Sequence, residues 1–426
     1  MAEKKATLLQ HMLQNAQERF GERAYTGKES ELYLTGIPLK FLSWRWLLDS
    51  NVFPVSKLIR IYGRPRQQKS TLSYEILRMF GEAGCEALGY VENESGKYSP
   101  SLLKSILSKY EYMIMNTTTV EEAQEALNGM RKEFQRLCPD RDQLACFVLD
   151  SLFGTSSEDK HKQLEKIDHI EKSYPVEANK WSGFLQTYTG ELLGWPIAFV
   201  MTNHVKTDIN DTGGFGGPGQ RTPGGDAQHF HSAIDINVSR EQNPKPFQTL
   251  AYEGATQNRQ HMRLKLFLKT EKSSIGSDNR RMTVNMIFWN DDNNQQITFF
   301  DWWGADAQLL HAMIAGGDSA PIVGNRKALK EVCDIEVTRG LCSSKVLGVE
   351  GVTDHEFGWA LQKRPEILQQ LSVLCGIKEH PIFDGKMPQV IKDAAGRKKK
   401  KVDEEAEKKE KEKKKKSPLD AFSGKE

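Results

Sequence analysis

Apolar and polar positions along the chain follow two different periods. Over Ala6–Phe20, residues Leu8, Leu9, Met12, Leu13, Ala16 and Phe20 share one helical face, and Gly21 follows as a stop. Polar residues 27–31 then mark a linker, so residues 1–33 are expected to form a tethered helix. It would pack on its own domain or on a neighbouring protomer. From Leu34 the pattern changes. Leu58–Tyr62 predicts a short apolar strand ended by Gly63, and Ser70–Ala83 a helix. Further strands are expected over Ala87–Val91, Tyr112–Met115, Leu144–Leu149 and Ile197–Met201, with helices over Val120–Leu137 and Trp181–Leu193. Strands alternating with long helices predict an α/β fold with a mostly parallel sheet covered on both faces. After Ile234 the pattern turns antiparallel, with strands over Ile234–Ser239, Met262–Lys269 and Arg281–Trp289 and helices over Phe299–Ile314 and Pro365–Cys375. The expected organisation is a core over 34–290, a small α+β C-terminal domain over 291–396 and a disordered Lys/Glu-rich tail over 397–426.

Composition narrows the function classes. The chain has 426 residues, 38% hydrophobic, which is ample for a packed core. No apolar run reaches the ~18 residues of a membrane span. The start, MAEKKATLLQHM, has no apolar segment or cleavage site of a secretory signal. The six cysteines are scattered without CxxC spacing, which points away from structural zinc and toward a reduced, intracellular setting; the cytoplasm is expected. The net charge is +2, and residues 397–426 alone carry 13 Lys/Arg against 8 Asp/Glu, so the body is slightly acidic. Any nucleic-acid contact must therefore come from local patches.

Candidate chemistry begins at Gly63-Arg64-Pro65-Arg66-Gln67-Gln68-Lys69-Ser70-Thr71, between an expected strand and an expected helix. The pattern approaches the phosphate loop GxxxxGK(S/T), with Gln68 in place of the second glycine. Backbone N–H groups at a helix start face phosphate oxygens, Lys69 would reach the β and γ phosphates, and Ser70 would ligate Mg²⁺. Three further features end successive strands: Glu92-Asn93-Glu94, Asp150-Ser151 and Asn203-His204. Asp150 stands where a second Mg²⁺ ligand belongs and His204 where a γ-phosphate sensor belongs. Ligands in open α/β sheets bind beyond the carboxyl ends of the strands, so the ordered set points to a nucleoside triphosphatase using ATP and Mg²⁺.

These residues resemble the RecA recombinase family, nearest to the UvsX-type recombinases of tailed phages. The likeness runs from about Leu8 to Gly376. Gln17-Glu18-Arg19-Phe20-Gly21 resembles the end of the family's N-terminal helix, and IRIYGRPRQQKSTL its strand and phosphate loop, where phage members also lack the second glycine. Asp150-Ser151 resembles its Walker B pair, and Asn203-His204 the Asn-His of the phage branch. Thr222-Pro223-Gly224-Gly225 resembles the end of the second DNA loop, Glu271-Lys272-Ser273 a phage-branch motif, and Ala360–Pro365 part of the bacterial C-terminal domain. The resemblance implies that Glu94 or Glu92 polarises the attacking water, with Glu94 the better fit, and that His204 senses the γ-phosphate. It further implies that Lys269 and Lys272 reach a neighbour's nucleotide. Their spacing, Lys-Thr-Glu-Lys, differs by one residue from the bacterial Lys-x-Lys.

DNA contact is expected in two segments. Residues 207–228 hold seven glycines between Gly213 and Gly225, together with Lys206 just before them, Phe215 and Arg221. A glycine-rich segment of this length is either functional or disordered, and its exposed N–H groups suit a phosphate backbone. The stretch Glu165–Trp181, with Lys166, Lys172, Lys180, Tyr174 and Trp181, would be the first DNA loop, although its acidic residues offset the charge. The expected partners are single- and double-stranded DNA, further copies of the chain in a helical filament, a single-strand-binding protein and a loader, with no membrane. The expected activity is ATP-dependent strand exchange in recombination and repair, in the cytoplasm of a bacterial host if phage-encoded. The alternatives are a DNA-binding or assembly protein that has lost hydrolysis, and a RecA-core helicase or motor.

Overall fold

Strands written as unbroken apolar runs need cover on both faces, and the fold supplies it. The structure, a computed structural model, describes residues 34–94, 99–152, 176–207, 220–221, 227–247, 261–290, 293–316 and 326–385. The expected N-terminal helix and Lys/Glu tail lie outside them. A short pair, β1 (Gly36–Pro38) and β2 (Val52–Pro54), flanks helix α1 (Leu42–Leu48). Then come β3 (Lys57–Gly63), α2 (Lys69–Glu82), β4 (Ala87–Glu92), α3 (Pro100–Leu107), β5 (Met113–Asn116), α4 (Val120–Leu137) and β6 (Ala145–Asp150). They are followed by α5 (Val176–Leu192), β7 (Ile197–His204), the two-residue pair β8 (Lys206–Thr207) and β9 (Gln220–Arg221), α6 (Ala227–His231) and β10 (Ile234–Arg240). Next are β11 (Lys245–Phe247), β12 (His261–Ser273), β13 (Arg281–Asn290), β14 (Gln296–Asp301) and helices α7 (Trp302–Ala315) and α8 (Arg326–Cys333). A small sheet, β15 (Glu336–Thr338), β16 (Leu341–Ser344) and β17 (Val349–Val352), precedes helices α9 (Asp354–Gln362) and α10 (Pro365–Leu374).

The chain is α/β with a large, mostly parallel central sheet. Among the described residues that sheet has ten strands in the order β14-β13-β12-β10-β3-β7-β6-β4-β5, with β11 paired to β12. From β10 to β5 every neighbour pair is parallel, and the strands beyond β10 are antiparallel. Residues Ala145–Asp150 are all buried, and so is β7 up to Asn203. One face of the sheet packs on α4 and α5 through Leu127, Met130, Phe134, Trp181, Leu185 and Tyr188 against Leu58, Phe147 and Phe199. Helix α4 starts cleanly because the Thr119 hydroxyl accepts the Glu122 N–H, and Glu121 and Glu122 sit at the positive end of its dipole.

A second core joins α1 to the C-terminal helices, with Leu42 and Trp46 packed among Leu310, Met313, Leu329, Phe357, Leu361 and Leu371. The described elements form one compact unit, Leu34–Lys386. One element differs from expectation. Residues 299–301 end a strand rather than begin a helix, since the run from Gln296 pairs antiparallel with β13, Phe299 opposite Ile287. Asp301 then caps α7 by accepting the Gly304 N–H at 2.9 Å. The sheet thus extends beyond residue 290. No described helix is long and apolar enough to cross a membrane.

Candidate functional site

Parallel register aligns the carboxyl ends of four strands. Gly63 at the end of β3 pairs with His204 at the end of β7, and Glu92 at the end of β4 pairs with Asp150 at the end of β6. Everything that follows these residues is delivered to one edge of the sheet.

The loop Gly63–Gln68 turns sharply, with Arg66 at φ 62° and Gln68 at φ 65°. Left-handed backbone is unusual for such residues, and at Gln68 the side chain supports it, since Oε1 accepts the Thr71 hydroxyl at 2.7 Å. Gly63 has no alternative. A Cβ there would lie 2.2 Å from the Val238 carbonyl oxygen, a backbone atom of the neighbouring strand. Arg64, Pro65 and Arg66 are exposed, and Gln67 Oε1 accepts the Arg240 N–H at 2.6 Å. Beside this turn a cavity of about 460 Å³ opens between the ends of β3 and β10, lined by Arg64, Gln67, Asn237 and Arg240 among others.

Lys69, the first residue of α2, folds back over the loop. Its Nζ donates to the carbonyls of Gly63 at 3.2 Å and Arg64 at 3.0 Å and to His204 Nδ1 at 3.1 Å. Only 5% of the residue is exposed. Burial pushes the ammonium down to about 8, against the pull of the Asp150 and Glu94 carboxylates. His204 Nε2 stands 2.7 Å from Glu94 Oε1, which also accepts the Ser151 hydroxyl at 2.6 Å. A continuous polar chain therefore runs Lys69, His204, Glu94, Ser151 across the strand ends. With Nδ1 accepting from a charged Lys69, the imidazole carries its proton on Nε2 and donates it to Glu94.

The two acidic residues after β4 play different parts. Glu92 is buried, and its Oε1 accepts the Glu94 N–H at 2.8 Å, which closes the turn. Glu94 is the one brought to His204. Asp150 is held by the hydroxyls of Tyr90, at 2.6 Å, and Thr202. Burial and the Asp150 charge hold the Tyr90 hydroxyl well above its usual range, so it remains a donor. The Asp150–Ser151 peptide bond is cis. Ser70 is the second residue of α2 and Asp150 the last of β6, so a serine hydroxyl and a carboxylate are the candidate metal donors. Hard oxygen donors of this kind fit Mg²⁺.

Other expected residues lie elsewhere. Lys269 pairs with Glu271 at 3.4 Å, and Lys272 donates to the carbonyls of His229 and, at 3.1 Å, Phe230. Both are on β12, separated from β3 by β10. Lys180 is ion-paired to Glu121. Trp181 belongs to α5, as the expected helix from Trp181 has it, and is 1% exposed, packed edge-on to Phe184, so it is not an exposed aromatic of the first DNA loop. The reason is that α5 begins at Val176 and turns this residue onto the sheet. Lys206 and Arg221 face each other in the β8–β9 register. Lys166, Lys172, Tyr174, Phe215, Gly224 and Gly225 lie outside the described residues.

Sequence reading missed several polar residues that organise this edge. Tyr90 and Thr202 hold Asp150, and Gln228 accepts from Asn203. Arg60 lies buried in the middle of β3, forked onto Asp235 at 2.9 and 2.7 Å and stacked on Tyr62. An arginine inside the apolar run LIRIY is itself a signal, because a buried guanidinium demands an acidic partner. No protein-family model matches the chain, and no curated protein is similar to it.

Proposed function

We propose that the protein is a DNA-dependent ATPase with a RecA-like phosphate-loop core, acting as a filament-forming recombinase on single-stranded DNA. The observation that carries this reading is the polar chain Lys69–His204–Glu94–Ser151 spanning the mouth of a left-handed loop at a helix start. A buried lysine whose charge is poorly solvated is poised for an anion, and the loop's backbone N–H groups add to the attraction. Triphosphate binding draws the Lys69 ammonium off the Gly63 and Arg64 carbonyls and onto phosphate oxygens. Ser70 and Asp150 would hold Mg²⁺, which supplies charge neutralisation at the phosphates. Glu94 orients and polarises the attacking water, while His204, released from Lys69, turns its Nε2–H from Glu94 to the terminal phosphate. His204 is followed within three residues by the glycine-rich segment, so its shift reaches the expected DNA contact. Pairing specificity would come from base complementarity.

Gln68 holds the left-handed conformation the turn needs, so its side chain gives no ground for preferring a protein that has lost hydrolysis. The test is steady-state ATP hydrolysis with and without single-stranded DNA, alongside electron microscopy with a non-hydrolysable analogue. Stimulated hydrolysis that Lys69→Ala abolishes, together with filaments, is the expected result. Hydrolysis within a few-fold of wild type in Lys69→Ala would remove the site, and closed rings in place of filaments would favour a motor.

A further inference from the structure

Helix α6 has five residues and is polar, yet it is tied to its surroundings from both ends. Gln228 is fully buried, and its Oε1 accepts Nδ2 of Asn203, which is fully buried too. Asn203 Oδ1 in turn accepts the His204 N–H at 2.7 Å. At the other end Lys272 donates to the carbonyls of His229 and Phe230, and the Ser232 N–H returns to the Gln228 carbonyl at 3.0 Å. In sequence, the glycine-rich segment lies between β7 and α6. Asn203 therefore links the strand before the segment to the helix after it.

Packing alone does not account for this pair. Two buried amides must be mutually satisfied to be tolerated, whereas two apolar side chains of similar size would fill the same space at less cost. What the amides add is direction and register. With Oδ1 committed to His204 and Nδ2 to Gln228, the Asn203 side chain cannot rotate without breaking one or both bonds.

We propose that Gln228 is a positioning residue for His204, so that the nucleotide-facing histidine and helix α6 move as one unit. This rests on the reading of His204 as the phosphate-facing group. The coupling is reciprocal: a ligand that shifts α6 also sets His204, and the phosphate that moves His204 also moves α6. The experiment uses full-length protein with ¹⁵N-labelled histidine, the His204 signals being assigned with His204→Gln. Gln228→Leu removes the acceptor, whereas Gln228→Glu keeps one for Asn203 Nδ2.

In Gln228→Leu the imidazole ¹⁵N shifts of His204, which report its tautomer and hydrogen bonding, are expected to change; in Gln228→Glu they stay near wild type. DNA-stimulated kcat falls about 10–100-fold in Gln228→Leu, the range for a displaced catalytic group, and the leucine effect is largely rescued by glutamate. The KM for ATP changes by less than about threefold, because the phosphate loop is untouched. Unchanged His204 shifts in a folded Gln228→Leu protein overturn the proposal. If Gln228→Leu does not fold, wild-type hydrogen exchange decides. A non-hydrolysable ATP analogue must alter exchange at the Ser232 amide, and no alteration overturns the proposal. If wild-type protein neither binds nor hydrolyses ATP while the His204 shifts still respond to Gln228→Leu, the positioning role stands and the ATPase reading falls.

Discussion

Replacing Lys69 by methionine separates the cost of the buried ammonium from its use. The group is displaced from 10.5 to about 8 mainly by burial, and at 1.36 kcal/mol per unit the charged form costs the fold about 3 kcal/mol. At pH 7 the lysine is protonated in both the native and the unfolded chain, so the whole penalty is present. Between pH 8 and 10.5 the native protein releases the proton while the unfolded chain still holds it. Stability therefore rises with pH across that window. Methionine fills the same channel without charge but forfeits the bonds to Gly63, Arg64 and His204, each worth about 0.5–1.5 kcal/mol net. The two effects nearly offset, with a net change within about 1.5 kcal/mol of zero at pH 7. Urea denaturation followed by tryptophan fluorescence at pH 7 and pH 9.5 measures this. The difference between wild type and Lys69→Met isolates the one group from the other residues that titrate there. Wild type is expected to gain stability relative to Lys69→Met as pH rises, while the variant loses ATP binding at every pH. A variant more than about 2 kcal/mol less stable at pH 7 would make Lys69 a structural tether instead of a poised cation, as would a difference that does not change with pH.

Glu94→Gln is expected to retain ATP and DNA binding while turnover slows by roughly 10²–10⁴, measured by single-turnover hydrolysis. Glu92→Gln should act on the fold instead, weakening the turn closed by its bond to the Glu94 N–H by about 1–2 kcal/mol in urea denaturation. Gly63→Ala places a methyl group 2.2 Å from the Val238 carbonyl oxygen, so urea denaturation should show a loss of about 1–3 kcal/mol and ATP titration a loss of affinity. Trp181→Phe removes an indole N–H that has no acceptor among the described residues, so it should cost less than the roughly 3–5 kcal/mol of a full truncation and leave single-stranded DNA affinity unchanged by fluorescence anisotropy.

What could be read along the chain and what could not divides by the range of the interaction. Cys146–Leu149 and Ile197–Met201 announce themselves because a strand buried on both faces must be apolar throughout, a purely local demand. The same demand makes their last residues conspicuous: Asp150 and His204 are the points where the apolar run stops. Which ends are neighbours is a different matter. That Gly63 lies beside His204, and Glu92 beside Asp150, depends on a strand order set by helix crossovers hundreds of atoms away. The resemblance favours Glu94, but the local pattern alone leaves Glu92 open for a physical reason. Both follow the same strand, and only the turn geometry decides which carboxylate is spent on backbone and which is turned toward His204. Trp181 carries two readings in sequence, the start of a helix with Leu185, Tyr188 and Leu192 at helical spacing and the end of a basic, aromatic loop, and the structure keeps the first. Gln228 was beyond sequence reading altogether. An amide after a glycine-rich segment is unremarkable until its partner is found 25 residues earlier, inside the fold. The residues proposed to bind are thus marked by where a pattern breaks, and those proposed to position them are marked only by whom they meet.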